Sequence, residues 1–255
     1  MRPSPPLYLR ILVALILSTL YIPIFMTVVS SFQSATGWSL DAFRSVLNRP
    51  DILDSLSLSL RLAAASSLGA TILGTVAAFA IERHRFRGRT LFAALTVLPL
   101  SLPEVVTGIS LLIWFVFLKW SLGFWSMTCA HITFCFSYVV LVVRARLNGF
   151  DRSVEEAAQD LGANSFQVFY TVTFPLLLPA LISGFLLSFT LWFDDFLITL
   201  FASGAGFDTL PVKVYSMIRY GVPQEINALS TLIFLTTLCI VLVVFRPFRL
   251  KTKTN

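Results

Sequence analysis

Long apolar runs separated by short polar segments dominate the sequence. Crossing about 30 Å of hydrocarbon takes roughly 20 residues of α-helix. Runs of suitable length lie at about residues 11–32, 56–81, 91–118, 126–143, 178–201 and 228–245. The pattern predicts an all-α membrane protein with six transmembrane helices, forming a single domain over residues 1–255.

The longest polar interruption, residues 151–179, follows the fourth run. Ser153 and Glu156 have the spacing of a capping box, in which a hydroxyl and a carboxylate each satisfy a backbone N–H at a helix start. Ala157 and Ala158 continue a good helix with almost no side chain. Gly162 is placed to end it in a left-handed cap, so the pattern predicts a short, well-defined helix.

A second short helix is expected to follow, beginning at Asn164 or Ser165. Pro175 and Pro179 are expected to break it, because proline lacks the amide hydrogen and its ring clashes with the preceding turn. On the residues alone, an ordinary connector and a docking element explain the segment equally well.

Basic residues fall unequally on the two sides of the predicted spans. One side holds Arg2, Arg10, Arg83, Arg85, Arg87, Arg89, Arg144, Arg146, Arg152, Arg246, Arg249, Lys251 and Lys253. The other holds the smaller set Arg44, Arg49, Arg61, Lys119, Lys213 and Arg219. Because cytoplasmic loops carry the excess of Lys and Arg, both termini and the loop of residues 144–177 are predicted to be cytoplasmic.

Composition supports the membrane interpretation. The chain is 56% hydrophobic and 13% charged, with a mean hydropathy of +0.83. A net charge of +6 does not indicate nucleic-acid binding here, because the basic residues flank apolar spans. Cys129, Cys135 and Cys239 lie within apolar runs, and an odd, membrane-embedded set argues against disulfides and against a metal site.

Motifs of enzymes and nucleotide-binding proteins are absent from the sequence. It contains no G-x-x-x-x-G-K-[ST] loop, H-E-x-x-H or G-x-S-x-G, so no cofactor is expected and ATP binding through such a loop is not available to this chain. Two further functional classes stay open for a membrane protein of this kind, a cation channel and an intramembrane enzyme.

Three acids lie within the predicted spans: Glu104, Asp194 and Asp195. A carboxylate at membrane depth is costly and marks either a functional site or an ion pair. Arg61, in the second run, is the candidate structural partner for one Asp. Successive helix positions point about 100° apart, so the two aspartates are not expected to face the same pore.

Aromatic side chains accompany these acids. Trp192 is near the Asp pair in sequence, and Trp114 and Tyr138 lie in neighbouring runs. The acids leave two interpretations open, a role in cation passage and a structural ion pair. These aromatics are further candidates to line such a passage, because an aromatic face attracts a cation.

Part of the 151–179 segment resembles a family signature. Glu156-Ala157-Ala158, then Gly162, then Val172-Thr173-Phe174-Pro175 are similar to the EAA---G---------I-LP motif of ABC importer permeases. The resemblance implies the type I importer permease fold and a coupling helix that docks on a cytoplasmic ATPase. The implied coupling residues are Ser153, Glu156, Ala157, Ala158, Asp160 and Gly162.

Further segments resemble the second permease subunit of spermidine/putrescine importers. They are Phe193-Asp194-Asp195-Phe196, Thr209-Leu210-Pro211 with Val214-Tyr215-Ser216, and Glu225-Ile226-Asn227-Ala228-Leu229. The resemblance implies polyamine transport in a bacterial inner membrane; another small organic cation or an amino-acid-like solute is the alternative. The implied partners are a second homologous permease, two ATPase subunits that bind the ATP, an extracytoplasmic binding protein and membrane lipid, but no nucleic acid.

Overall fold

A computed structural model describes residues 6–34, 37–221, 224–236 and 238. The chain forms two compact units. One is drawn from residues 1–53 and 214–255, and the other comprises Asp54–Lys213. The prediction of a single domain stays a prediction.

Helices make up nearly all of the described chain. They are α1 Leu7–Ser31, α2 Asp41–Asn48, α3 Pro50–Arg83, α4 Arg89–Val97, α5 Glu104–Phe117, α6 Phe124–Asn148, α7 Ser153–Asp160, α8 Ser165–Val168, α9 Phe174–Asp194, α10 Leu197–Ala202 and α11 Leu210–Tyr220. A 3-10 turn, Leu98–Ser101, follows α4, and a π turn, Phe169–Thr173, joins α8 to α9. The strands β1 Gln33–Ser34 and β2 Gly37–Trp38 form an antiparallel pair. Residues 224–236 are also helical.

Single helices account for four of the predicted spans. Leu7–Ser31, Pro50–Arg83, Phe124–Asn148 and Ser165–Asp194 are each long and apolar enough to cross a membrane. Two of them, Pro50–Arg83 and Phe124–Asn148, extend beyond both ends of the expected runs, because the polar residues that flank an apolar stretch can continue its helix. Of the sixth predicted span, residues 228–236 are helical, and residues 239–245 lie outside the described residues.

The third predicted span is not one helix. Arg89–Ser101 and Glu104–Phe117 are bent by 111° at a break between them. Pro103 explains the break, because a residue before proline avoids the helical region and Leu102 is extended, with φ −92° and ψ 138°. Pro99 and Pro103 lie inside the run of residues 91–118 and predict an interruption of the third span there, and the break at Pro103 confirms it.

The fifth predicted span begins earlier and ends earlier than expected. Helical structure runs without a break from Ser165 to Asp194, so the prediction that Pro175 and Pro179 break it was wrong. Pro175 lies in the first turn of α9, where its missing N–H costs little, and the π turn immediately precedes it. The chain leaves the helix only at Asp195, which is extended with φ −82° and ψ 113°.

Small residues allow the helices of the Asp54–Lys213 unit to pack closely. Its core is centred on α6, and members such as Ala70, Ala130, Cys135 and Val139 are fully buried. Association between membrane helices depends on van der Waals contact and close backbone approach, which small side chains permit. This packing fixes α9 and α10 against α6 and thereby positions the acids of the predicted pathway.

In the unit formed by both ends of the chain, Arg49 joins its separate segments. Its guanidinium is 2.8 Å from Asp51 and 2.6 Å from Glu225, and Ser45 also donates to Glu225. The hydrogen bonds to Asp51 and then to Glu225 raise the pKa of Arg49 above its ordinary value. This cluster fastens α2 and the start of α3 to the helix of residues 224–236.

Candidate functional sites

The predicted capping box at the start of α7 is wrong, although the helix is confirmed. Asp151, not Ser153, supplies the cap: its carboxylate accepts the backbone N–H of Ser153 at 3.0 Å. Ser153 is itself the first helical residue. Hydrogen bonds from the backbone and then the hydroxyl of Ser153 lower the pKa of Asp151. The serine matched the capping pattern, but the aspartate two residues earlier offered a stronger acceptor.

The end of α7 matches the prediction. Gly162 has φ +90°, in the left-handed region that favours glycine. Its N–H donates to Gln159 at 2.8 Å, and the N–H of Ala163 donates to Ala158 at 3.1 Å. These two bonds form a Schellman motif, which closes the helix and turns the chain sharply.

The second short helix also begins where expected. Asn164 precedes α8 and accepts the N–H of Gln167 at 2.9 Å, while the Gln167 side chain accepts the N–H of Asn164 at 2.8 Å. This is a reciprocal capping box. The turn between α7 and α8 is therefore held from both sides.

Glu155 fastens α7 to the membrane helices. Its carboxylate forms a bidentate ion pair with Arg83 at the end of α3, at 2.8 and 2.9 Å. Thr173, the last residue of the π turn, donates its hydroxyl to the same carboxylate. Both members of the ion pair are 16% exposed, so α7, α3 and the base of α9 meet at one largely buried acid.

The coupling residues implied by the resemblance are mostly on the surface. Glu156, Ala157, Asp160 and Gly162 are exposed and Ala158 is half-buried. Large apolar side chains are exposed beside them, notably Leu161 at 90% and Phe166 at 71%. Such a combination of a rigid turn and uncovered apolar residues is typical of a surface that binds a protein.

Asp195 caps a helix inside the protein. It is only 3% exposed, and its carboxylate accepts the backbone N–H groups of Ile198 and Thr199, each at 3.1 Å. The first turn of α10 has N–H groups without partners inside the helix, and a carboxylate satisfies them well. The role of Asp195 in this structure is to hold the break between α9 and α10.

His131 completes this buried cluster. Its Nε2 is 2.9 Å from the Thr199 hydroxyl and 3.5 Å from the Asp195 carboxylate. The ring lies beside Trp192, with centroids 5.3 Å apart, and Trp192 is fully buried. Trp192 therefore packs behind the break and does not line an open surface in this structure.

Asp194 has a different environment from its neighbour. It is exposed and is the last residue of α9. The final carbonyl groups of a helix lack intrahelical partners and carry partial negative charge. Its carboxylate adds to that charge, so the end of α9 is an electronegative surface.

Glu104 is exposed and is the first residue of α5, the helix that packs against α10. The close approach of α5 to α10 occurs at Gly108, where a Cβ would lie 2.7 Å from the Phe201 ring.

The remaining aromatic candidates differ in exposure. Tyr138 is half-buried, with its ring 5.5 Å from that of Phe134. Trp114 is 55% exposed and stacks on Phe117.

The predicted ion pair of Arg61 with an aspartate was wrong. Arg61 is exposed and donates to the backbone carbonyl and the hydroxyl of Ser57, both at 3.2 Å. These bonds lie within α3, one turn away, and no aspartate pairs with Arg61 among residues 6–34, 37–221, 224–236 and 238. In those ranges no group of His, Cys, Asp and Glu is arranged to hold a metal ion.

Sequence reasoning missed Glu155, Thr173 and Arg83. Glu155 adjoins the motif residue Glu156, and a choice between adjacent acids depends on the helix face, which one residue changes by about 100°. In the sequence, Arg83 served only as one of the basic residues that predict which side of the membrane is cytoplasmic. The signal that was present is the position of Arg83 at the end of a long apolar helix, where a charge that becomes buried needs a partner.

Comparison with known proteins agrees with this architecture. The family profile described as binding-protein-dependent transport system inner membrane component matches residues 70–250. The putrescine transport system permease protein PotI of Escherichia coli (strain K12) is 45% identical over 228 residues, covering 84% of this chain and 81% of that protein. The spermidine/putrescine transport system permease protein PotC of the same strain is 39% identical over 242 residues, 92% of each chain.

Solved structures of low sequence identity share the fold. A chain of a bacterial ABC transporter involved in the import of the acidic polysaccharide alginate has a TM-score of 0.76 at 17% identity, over 96% of this chain and 99% of that one. A chain of an amino acid ABC transporter crystallised with histidines has a TM-score of 0.59 at 19% identity, over 82% of this chain and 99% of that one.

Proposed function

Because this chain belongs to the family of binding-protein-dependent transport system inner membrane components, and is therefore a permease subunit of an ABC importer, we propose that it carries polyamines, putrescine or spermidine, into the cell. The relatives named for putrescine and spermidine/putrescine transport support this substrate class.

The observation that carries the proposal is the exposed carboxylate at the broken end of α9. A helix interrupted at membrane depth leaves its terminal carbonyl groups available, and such C-terminal ends coordinate cations in transporters. Asp194 is exposed there, while Asp195 satisfies the opposing N–H groups of α10. A primary ammonium has three donors and finds both a carboxylate and carbonyl oxygens at this position.

Other groups extend this surface into a pathway for a longer cation. Glu104 contributes a second carboxylate, and Tyr138 and Trp114 contribute aromatic faces suited to ammonium groups and methylenes. Trp192 is buried beside His131 and packs against the break between α9 and α10. We assign most of the substrate selectivity to the binding protein. The pathway through this chain therefore needs negative charge and sufficient width rather than a close fit to one polyamine.

Alternating access driven by ATP hydrolysis in partner subunits is the mechanism proposed. The turn containing Glu156, Ala157, Ala158, Asp160 and Gly162 binds a groove of an ATPase, and Glu155 passes its movement to α3 and α9. Two ATPase subunits, a second homologous permease and an extracytoplasmic binding protein complete the importer. A structural neighbour, a bacterial alginate ABC transporter, was crystallised in complex with an alginate pentasaccharide-bound periplasmic protein, which supports a binding protein as partner.

Six spans with both termini in the cytoplasm are part of the proposal, with α4 and α5 together forming one bent span. This topology is testable with single cysteines at Arg87 and Asp208, both exposed, in a chain lacking Cys129, Cys135 and Cys239. An impermeant maleimide applied to spheroplasts is expected to label position 208 and to label position 87 only after lysis. Labelling of position 87 before lysis would reverse the orientation.

Uptake in cells that lack their own polyamine importers tests the substrate class. With its partner subunits, the chain is expected to support accumulation of labelled putrescine or spermidine. Excess unlabelled polyamine should abolish this, whereas excess choline, arginine or histidine should not. Efficient competition by one of these solutes, with no polyamine uptake, would favour the alternative of another organic cation or an amino-acid-like solute.

A further inference from the structure

The connection from α3 to α4 forms a basic pocket of about 300 Å³. This volume is at the lower end of the range for small-molecule sites. The pocket is lined by Glu82, Arg83, His84, Arg85, Arg89 and Arg152. Arginines therefore greatly outnumber carboxylates on its walls.

Glu82, the one carboxylate among the lining residues, already has basic partners. Glu82 binds Arg144 at 2.6 Å through one oxygen and lies 3.8 Å from Arg89 through the other. Arg83 is paired with Glu155. The carboxylate of the lining is therefore already paired with guanidinium groups.

Among the described residues, two of the pocket's guanidinium groups have no carboxylate partner. Arg85 is exposed and has no ion pair within the part of the chain that the structure describes. Arg152 donates to the backbone carbonyl of Glu82 at 3.3 Å, which accepts a hydrogen bond but carries no net charge. Like charges gathered around one cavity repel each other, and a bound anion would relieve that repulsion.

We propose that this pocket binds a phosphate-bearing anion, either the headgroup of an anionic phospholipid or soluble phosphate. Guanidinium groups present N–H donors in a planar fork that matches phosphate oxygens in pairs. The flanking helices α3 and α4 are apolar, and basic pockets between membrane helices near the cytoplasmic surface bind lipid headgroups. The site would not take a polyamine, whose ammonium groups it repels.

An anion bound in this pocket would also affect the contact between α7 and α3. Arg83 and Arg152 belong to the walls of the pocket, and Arg83 is also the partner that fastens α7 through Glu155. An anion in the pocket would order the arginines around the base of the coupling turn. This inference does not depend on the identity of the transported solute.

Native mass spectrometry of the chain purified with its partner subunits tests the site. After delipidation, dioleoyl phosphatidylglycerol is expected to be retained in preference to dioleoyl phosphatidylcholine. Arg85→Gln should weaken phosphatidylglycerol retention about fivefold, as expected for one basic residue near an anionic headgroup. Arg87→Gln removes the same charge from the same loop but outside the pocket lining, and should change retention less than about twofold.

Inorganic phosphate distinguishes the two sources of the anion. Failure of millimolar phosphate to displace phosphatidylglycerol would assign the site to lipid, while direct, Arg85-dependent phosphate binding by ³¹P NMR would assign it to a soluble anion; both outcomes support the pocket. Equal losses in Arg85→Gln and Arg87→Gln would mean that general surface charge attracts the lipid and would overturn the proposal. So would the absence of both phosphatidylglycerol preference and phosphate binding.

Discussion

Replacing Glu155 with alanine is expected to lower polyamine uptake at least about tenfold, which corresponds to about 1.4 kcal/mol, while the chain still inserts into the membrane. Arg83 and Thr173 both contact this carboxylate, and its loss leaves a largely buried guanidinium without its partner. Removing one member of such a pair costs about 1–3 kcal/mol. The helix α7 would then keep its shape but lose its connection to α3 and α9. Uptake per membrane-inserted chain is the measurement.

A double-mutant cycle and a neighbouring substitution control this prediction. Arg83→Ala combined with Glu155→Ala should be little worse than either single change, because both remove the same interaction. Gln159→Ala alters an exposed side chain of α7 and should leave uptake unchanged. If Glu155→Ala transports at the unaltered rate, the proposed connection between α7 and the membrane helices is wrong.

Substitution of the adjacent aspartates is expected to give two different phenotypes. Asp194→Asn removes the exposed charge with little change of shape and should lower uptake about tenfold at an unchanged protein level. Asp195→Asn replaces a buried carboxylate that accepts two backbone N–H groups, and weakening those bonds costs about 1–3 kcal/mol. Its main effect should therefore be a lower protein level and a lower melting temperature of the purified complex.

Arg61 supplies the control for the aspartate experiment. Because it bonds to Ser57 within its own helix, Arg61→Gln should not restore the level of the Asp195→Asn variant. Restoration would instead support an ion pair between Arg61 and one of the two aspartates. Equal transport by Asp194→Asn and the unaltered chain would remove Asp194 from the pathway.

The sequence predicted the features that depend on long apolar runs and on local backbone geometry. Helices at five of the expected spans follow from runs that are long enough to need no tertiary information. Gly162 and Asn164 were recognisable because a left-handed residue and a capping side chain each act within a few positions.

The sequence did not predict features that depend on tertiary contacts. The two aspartates were expected to face different directions, but only the break in the helix determines that Asp195 is buried and Asp194 exposed. Likewise, Glu155 and Glu156 differ only in which side of α7 they occupy, and Arg83 has a partner 72 positions away. Proline gave a misleading signal at Pro175, where the preceding π turn accommodates it, and a correct one at Pro103.

ATP dependence of polyamine flux tests the central claim most directly. The chain, purified with its second permease, ATPases and binding protein, would be reconstituted in proteoliposomes containing ATP or a non-hydrolysable analogue, with labelled putrescine and binding protein outside. We predict accumulation only with hydrolysable ATP, and its loss when the ATPase subunits are inactivated. Equal flux without hydrolysis would indicate a cation channel, and chemical conversion of putrescine by the purified chain would indicate an enzyme; either result would contradict the account.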